Sequence, residues 1–135
     1  MTYATVLAGL QTVLGTVAGI NAVLDYEPLA IQTTPLIYSL LDSAVALNEE
    51  IFVETPDYQY RVMHRLLIAW QDNEQAETEL VSFVNAIPEA VFAGQATICP
   101  HGYSYVRDMD AGWVDVAGQT YRSLDFYSET LEFAA

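Results

Sequence analysis

Apolar residues in the first stretch of the chain recur at a helical interval. Tyr3, Val6, Leu7, Leu10, Val13, Leu14 and Val17 fall at i, i+3, i+4, i+7, one face of an amphipathic helix. The pattern predicts a helix that ends between Gly19 and Asn21. Gly9, Gly15 and Gly19 either weaken it or let another backbone approach closely. DYEPLAIQTTP, from Asp25, then reads as a connector with Pro28 and Pro35, and LIYSLLDSA, from Leu36, as a short apolar strand. VALNEEIFVETPD, from Val45 to Asp57, mixes polar and apolar residues without a sustained period. It is expected to be a long loop with a short extended piece at Ile51 to Val53; long loops in compact domains tend to be functional or disordered.

The period changes from Tyr58 to Trp70. Tyr58, Tyr60, Val62, His64, Leu66, Ile68 and Trp70 share one face of a strand, and Gln59, Arg61, Met63, Arg65, Leu67 and Ala69 the other. Both faces carry apolar bulk, as a central strand requires. A second helix follows, with Asp72 or Asn73 as its cap and Glu74 and Glu77 near its positive end. Its expected stripe is Leu80, Val81, Phe83, Val84 and Ile87, and Pro88 should stop or kink it. The remainder alternates: Tyr103 and Tyr105 toward Arg107, a turn at Asp108 to Gly112, a strand from Trp113 to Val116, a turn at Ala117-Gly118, and a long last strand from Gln119. The layout is helix, strand, long loop, strand, helix and three strands. It predicts an α+β fold of one domain spanning residues 1–135, a mostly antiparallel β-sheet covered by two α-helices.

Composition adds two features. Hydrophobic residues make up 53% and charged residues 16% of the 135 positions, against about 25% charged in an ordinary domain. The apolar excess suggests a subunit of a larger assembly, because obligate interfaces resemble a cut core. Eighteen acids face four bases, a net charge of −14. The bases are Arg61, Arg65, Arg107 and Arg122, with no lysine. Such a surface repels nucleic acid and anionic membrane. It argues against a DNA-binding module while allowing a protein that DNA passes without sticking; adaptation to high salt would give the same composition. The single cysteine, Cys99, excludes an intrachain disulfide. The N-terminal stretch has no basic n-region, and its apolar residues are spaced rather than continuous, so neither a signal peptide nor a membrane span is expected.

Candidate chemistry is tested residue by residue. Asp108-x-Asp110 starts like a calcium loop, but the fifth and sixth positions hold Gly112 and Trp113 and the twelfth is Gln119, so the pattern fails. Cys99 and His101 offer two metal ligands where a structural zinc site needs four. His64, the other histidine, lies on the apolar face of a strand and reads as a buried, hydrogen-bonded residue. Cys99 has no nucleophile signature around it, and no glycine-rich loop follows a strand. No metal, cofactor or catalytic residue is therefore expected. Arg61 and Arg65 share a strand face, and with so few bases each should have an acidic partner, within the fold or across an interface.

GYSYVRDMDAGWVDVAGQTYRSLDFYSETLEF, through Gly102, Tyr103, Tyr105, Arg107, Asp108, Asp110, Ala111 and Gly112, resembles the end of tail terminator (tail completion) proteins of long flexible-tailed, lambda-type phages. There a tyrosine-rich strand leads into an Arg-Asp-x-Asp-Ala-Gly turn and a last strand. The upstream order of elements is similar too, and INAVLDYEP and LIAWQDNEQAETEL look like related small tail-completion proteins. Trp113 and the apolar first helix depart from the family.

The resemblance implies a non-enzymatic virion protein, a hexameric ring at the head-proximal end of the tail tube, assembled in the host cytoplasm. It implies arrest of tube growth and a docking surface for the head. Its implied partners are copies of itself, the tail tube protein, the head-closure or connector protein and the tape measure protein, with DNA passing through the ring unbound. Candidate interface residues are Ile51, Phe52, Val53, Arg61, Arg65, Arg107, Asp108, Asp110 and Trp113. Competing readings are a head-closure or neck adaptor, a small hydrolase or thiol enzyme built on Cys99 and His101, and a regulatory binding module.

Overall fold

The computed structural model of the protein describes residues 2–47 and 57–132. In chain order they form α1 (Tyr3–Gly15), β1 (Ala22–Leu24), β2 (Leu36–Ala46), β3 (Tyr58–Ala69), α2 (Asn73–Ala93), α3 (Gln95–Ile98), β4 (Gly102–Val116) and β5 (Gln119–Glu132). The strands make one sheet in the order β1-β2-β3-β5-β4. The fold is α+β, as the layout predicts, but the sheet is mixed and a third, four-residue helix is present. β1 pairs parallel to β2 while every other pair is antiparallel. A three-residue strand is too short to display a period, which is why the sequence pattern assigns no element to Ala22–Leu24.

α1 begins where Thr2 accepts a hydrogen bond from the backbone N–H of Thr5, satisfying one of the unpaired donors of the first turn. It stops at Gly15, a turn earlier than its apolar stripe suggests, and Val17 reaches the core from the turn that follows. Asp72 caps α2 by accepting from Gln75 N–H at 2.7 Å. The buried stripe of α2 is Ala76, Leu80, Phe83, Ile87 and Val91, whereas Val81 and Val84, expected in it, face outward. Pro88 sits inside this helix and does not end it. It removes one hydrogen bond, and burial of Ile87 and Val91 on either side offsets that loss.

Both long helices pack on the same face of the sheet. Val6, Leu10, Leu14, Phe83, Ile87 and Ile98 meet Ile37, Val62, Leu66, Ile68, Leu124 and Phe126 in one core. Each fully buried aliphatic or aromatic side chain there contributes roughly 1.5–3 kcal/mol. Among the described residues no helix covers the opposite face. At one end it carries a smaller apolar cluster of Leu36, Tyr38, Leu67 and Tyr121, with Ile31 of the connector against it. At the other it carries charge.

The turn expected at Asp108–Gly112 is absent. β4 runs unbroken from Gly102 to Val116, with a bulge where Asp108 and Met109 oppose the single residue between Asp125 and Tyr127. Asp108 takes a positive φ of 55° there, a conformation aspartate tolerates better than most residues. Alternation before and after the bulge, with acids and a glycine between, is indistinguishable in sequence from two strands and a turn. The turn at Ala117-Gly118 is present, with φ of 51° and 82°, as a two-residue hairpin with both central residues left-handed demands. β4 is also an edge strand, and Gln95 partly closes that edge. Its side-chain amide accepts from Ser104 N–H and donates to Ser104 C=O, the two bonds a neighbouring strand would make.

Candidate functional site

On β3, Arg61, Met63, Arg65 and Leu67 point to the helix-free face, because the alternate residues Tyr60, Val62, His64 and Leu66 are held in the core. Antiparallel pairing sets Glu129 opposite Arg61 and Asp125 opposite Arg65. The β4–β5 register sets Tyr105 opposite Glu129 and Arg107 opposite Tyr127. Three of the four arginines thus converge on one open surface.

Glu129 is its hub. Its carboxylate lies 3.6 Å from Arg61 Nη1 and 3.2 Å from Arg107 Nη1, and it accepts a short hydrogen bond from the Tyr105 hydroxyl. That bond raises the Tyr105 pKa, and the Glu129 hydrogen bond raises that of Arg107. The Asp108 carboxylate is 3.3 Å from Arg61 Nη2 and 3.3 Å from Arg107 Nε. The bulge therefore supplies a bridging acid. The Arg61 guanidinium lies 4.2 Å over the Tyr127 ring. Its Nε is 3.3 Å from Asp42 but not directed as a hydrogen bond. Arg65 forms a fork with Asp125, at 2.7 and 3.0 Å, and donates to the Tyr38 hydroxyl at 3.1 Å. The Asp125 hydrogen bonds raise the Arg65 pKa above its ordinary value.

Every arginine here is matched by acid, so the surface offers no unpaired cation to a phosphate. What the network of ion pairs provides is a partly exposed charged surface. Glu129 is the residue whose loss should show. Its side chain is 9% exposed, against 31% for Arg61 and 47% for Arg107. Glu129→Gln should therefore cost about 2 kcal/mol, between the value of a surface pair and that of a broken buried pair. Asp42→Asn at the rim should cost about 0.5 kcal/mol or less. Urea unfolding of the two variants checks the contrast, and equal losses would contradict the assignment of Glu129 as hub.

Of the interface residues expected from sequence, Arg61, Arg107 and Asp108 come together, and Arg65 and Asp110 lie on the same face beside Asp125. Trp113 does not join them. It pairs with Arg122 and lies on the helix side of the sheet, against Trp70. Ile51, Phe52 and Val53 lie outside the described residues. Val45 and Ala46, expected to open the long loop, belong to β2, and residues 48–56 of that expected loop lie outside the described residues. Glu129, Tyr105 and Tyr127 escape the sequence reading because only strand register brings them to the arginines.

Cys99, His101 and His64 have different surroundings. Cys99 is buried, its Sγ directed at Leu131 C=O at 3.8 Å, and burial raises its pKa, the reverse of an activated nucleophile. His101 is exposed. His64 is fully buried between Ser39 Oγ, 2.6 Å from Nδ1, and Ser128 Oγ, 2.8 Å from Nε2, and it stacks on Phe126. Among the described residues, no group of three or more histidine, cysteine or acidic side chains is placed to hold a metal ion. A hollow of about 560 Å³ beneath the connector is lined by Ala22, Leu24, Pro28 and Leu36, with Glu27 its sole carboxylate. None of the described helices is long and apolar enough to cross a membrane. No protein-family model and no curated protein matches this chain.

Proposed function

We propose that the protein is a structural subunit of a phage tail: a ring at the head-proximal end of the tail tube that stops tube growth and presents a docking surface to the head. The observation that carries this reading is the one-sided sheet. Helices cover one face, and the other is a broad surface of long strands with its charges held in place. The charged part of that face has the form of a contact surface rather than of a cleft that encloses a small substrate. The apolar excess of the composition fits a subunit with surface to bury, and the sequence of the C-terminal strands resembles that of tail terminators, although the turn that the resemblance implies at Asp108–Gly112 is a bulge within one strand here. The charge of −14 per copy suits a bore that DNA crosses, because such a wall releases no counterions from DNA.

The test is a phage in which the gene for this chain is disrupted. It should make tails of uncontrolled length that do not join heads. Tails of normal length that fail to join heads would move the assignment to a neck adaptor. Normal tails joined to heads would overturn both.

A further inference from the structure

We infer that the end of the sheet bearing Trp70 and Trp113 is a docking site for an arginine-bearing segment of a different protein. This inference does not depend on the phage-tail reading. The chain has two tryptophans, and the fold puts both in one place. Their rings are 5.6 Å apart, edge to face at 73°, and each residue is about half exposed, at 49% and 51%. Neither is needed to fill the core. Each has a polar contact: Trp70 Nε1 donates to Asn73 Oδ1 at 2.8 Å, and the Arg122 guanidinium lies 4.9 Å from the Trp113 ring centre. Half-exposed tryptophans are the residue type on which protein interfaces concentrate their binding energy.

The surrounding charge selects the partner. Arg122 is already neutralised by Glu77, 3.0 Å away, and donates to Gly112 C=O. Asp115, held by the Thr120 hydroxyl, and Asp72, at the cap of α2, stand on the same end and meet no arginine among the described residues. A shallow hollow lined by Trp70, Gln71, Gln119 and Thr120 opens beside them. Aromatic faces in an acidic rim fit a cation, and a planar guanidinium stacks on indole better than an ammonium does.

A second copy of this chain is a poor source of that cation. All four of its basic side chains are arginines, and Arg61, Arg65, Arg107 and Arg122 each already hold an acid. The occupant is therefore a partner that brings its own arginine.

Because both tryptophans sit in the patch, their emission, excited beyond the absorption of the nine tyrosines, reports on it. The full chain, titrated at low salt with a hexa-arginine peptide, should show a saturable change in tryptophan emission. A hexa-lysine peptide should bind several-fold more weakly. Trp113→Leu should weaken the arginine peptide about fivefold or more. Asp115→Asn, which keeps the acceptor for Thr120 and so keeps the fold, should weaken it about threefold. Three results would overturn the inference: binding that leaves the emission unmoved, binding that neither variant weakens, or spermine acting as well as the peptide. An emission change on concentrating the protein alone would overturn it too, by making a second copy the occupant.

Discussion

Gly9→Ala should lose about 3 kcal/mol of stability, a large part of the 5–15 kcal/mol that holds a domain of this size. A Cβ at Gly9 would lie 2.6 Å from Thr97 O and 2.8 Å from Ile98 Cα. Both are backbone atoms, so no side-chain rotation relieves the overlap. α1 and α3 would have to separate, opening the core around Leu10, Ile98 and Cys99. Helix propensity pulls the other way, since alanine is favoured over glycine by about 1 kcal/mol, but that gain is smaller than the overlap. Gly15→Ala is the control. Its Cβ would meet Val23 Cγ2 at an ordinary 3.9 Å, and it should be neutral or stabilise by up to about 1 kcal/mol. Urea unfolding of both variants measures the difference. A Gly9→Ala protein as stable as the parent would mean that the two helices do not approach as described.

The second large effect is a loss of stability in acid, traceable to His64. Burial lowers its pKa from 6.5 to about 3, because the ring is cut off from water, with hydroxyls on both sides and no counterion among the described residues. A neutral imidazole donates from one nitrogen and accepts at the other, which Ser39 and Ser128 accommodate. The sign follows from proton binding. Between pH 6.5 and 3 the unfolded chain holds a proton on this residue and the folded chain does not, so stability falls as pH falls. The contribution is fully present above pH 6.5 and is lost progressively toward pH 3, with a limiting slope of about 1.4 kcal/mol per pH unit. At pH 4 the loss amounts to about 3 kcal/mol. Carboxylates also act in this range, so the measurement is a difference: unfolding free energy at pH 7 and pH 4 for the parent and for His64→Gln. Glutamine keeps a donor and an acceptor for the two serines but does not titrate. The variant should be less stable at pH 7 and lose about 3 kcal/mol less on acidification. Parallel pH profiles would show that His64 is not buried in neutral form.

These two residues also mark where the sequence stops being sufficient. The alternation from Tyr58 to Ala69 identifies a strand with two occupied faces and puts His64 on the buried one. The i, i+3, i+4 stripe identifies α1, Asp72 marks the start of α2, and Ala117-Gly118 marks a hairpin. Each is a local statement, because period, capping and turn geometry involve residues within a few positions of one another. The glycines of α1 left two possibilities open, a weak helix or a close neighbour, and only the position of α3 decides for Gly9.

What the tertiary structure decided is partnership. That β1 lies parallel to β2, that Asp108 forms a bulge within one long strand, and that Trp113 stands with Trp70 rather than with Arg107 all follow from the register between distant segments. Shifting a strand by one residue would reverse every face. Burial of the whole core sets that register, and no single stretch of sequence carries it. The sequence therefore determined that the arginines need acids and that the sheet needs covering. The packing decided that Glu129, Asp125, Asp108 and Glu77 are among those acids and that no described helix covers the second face.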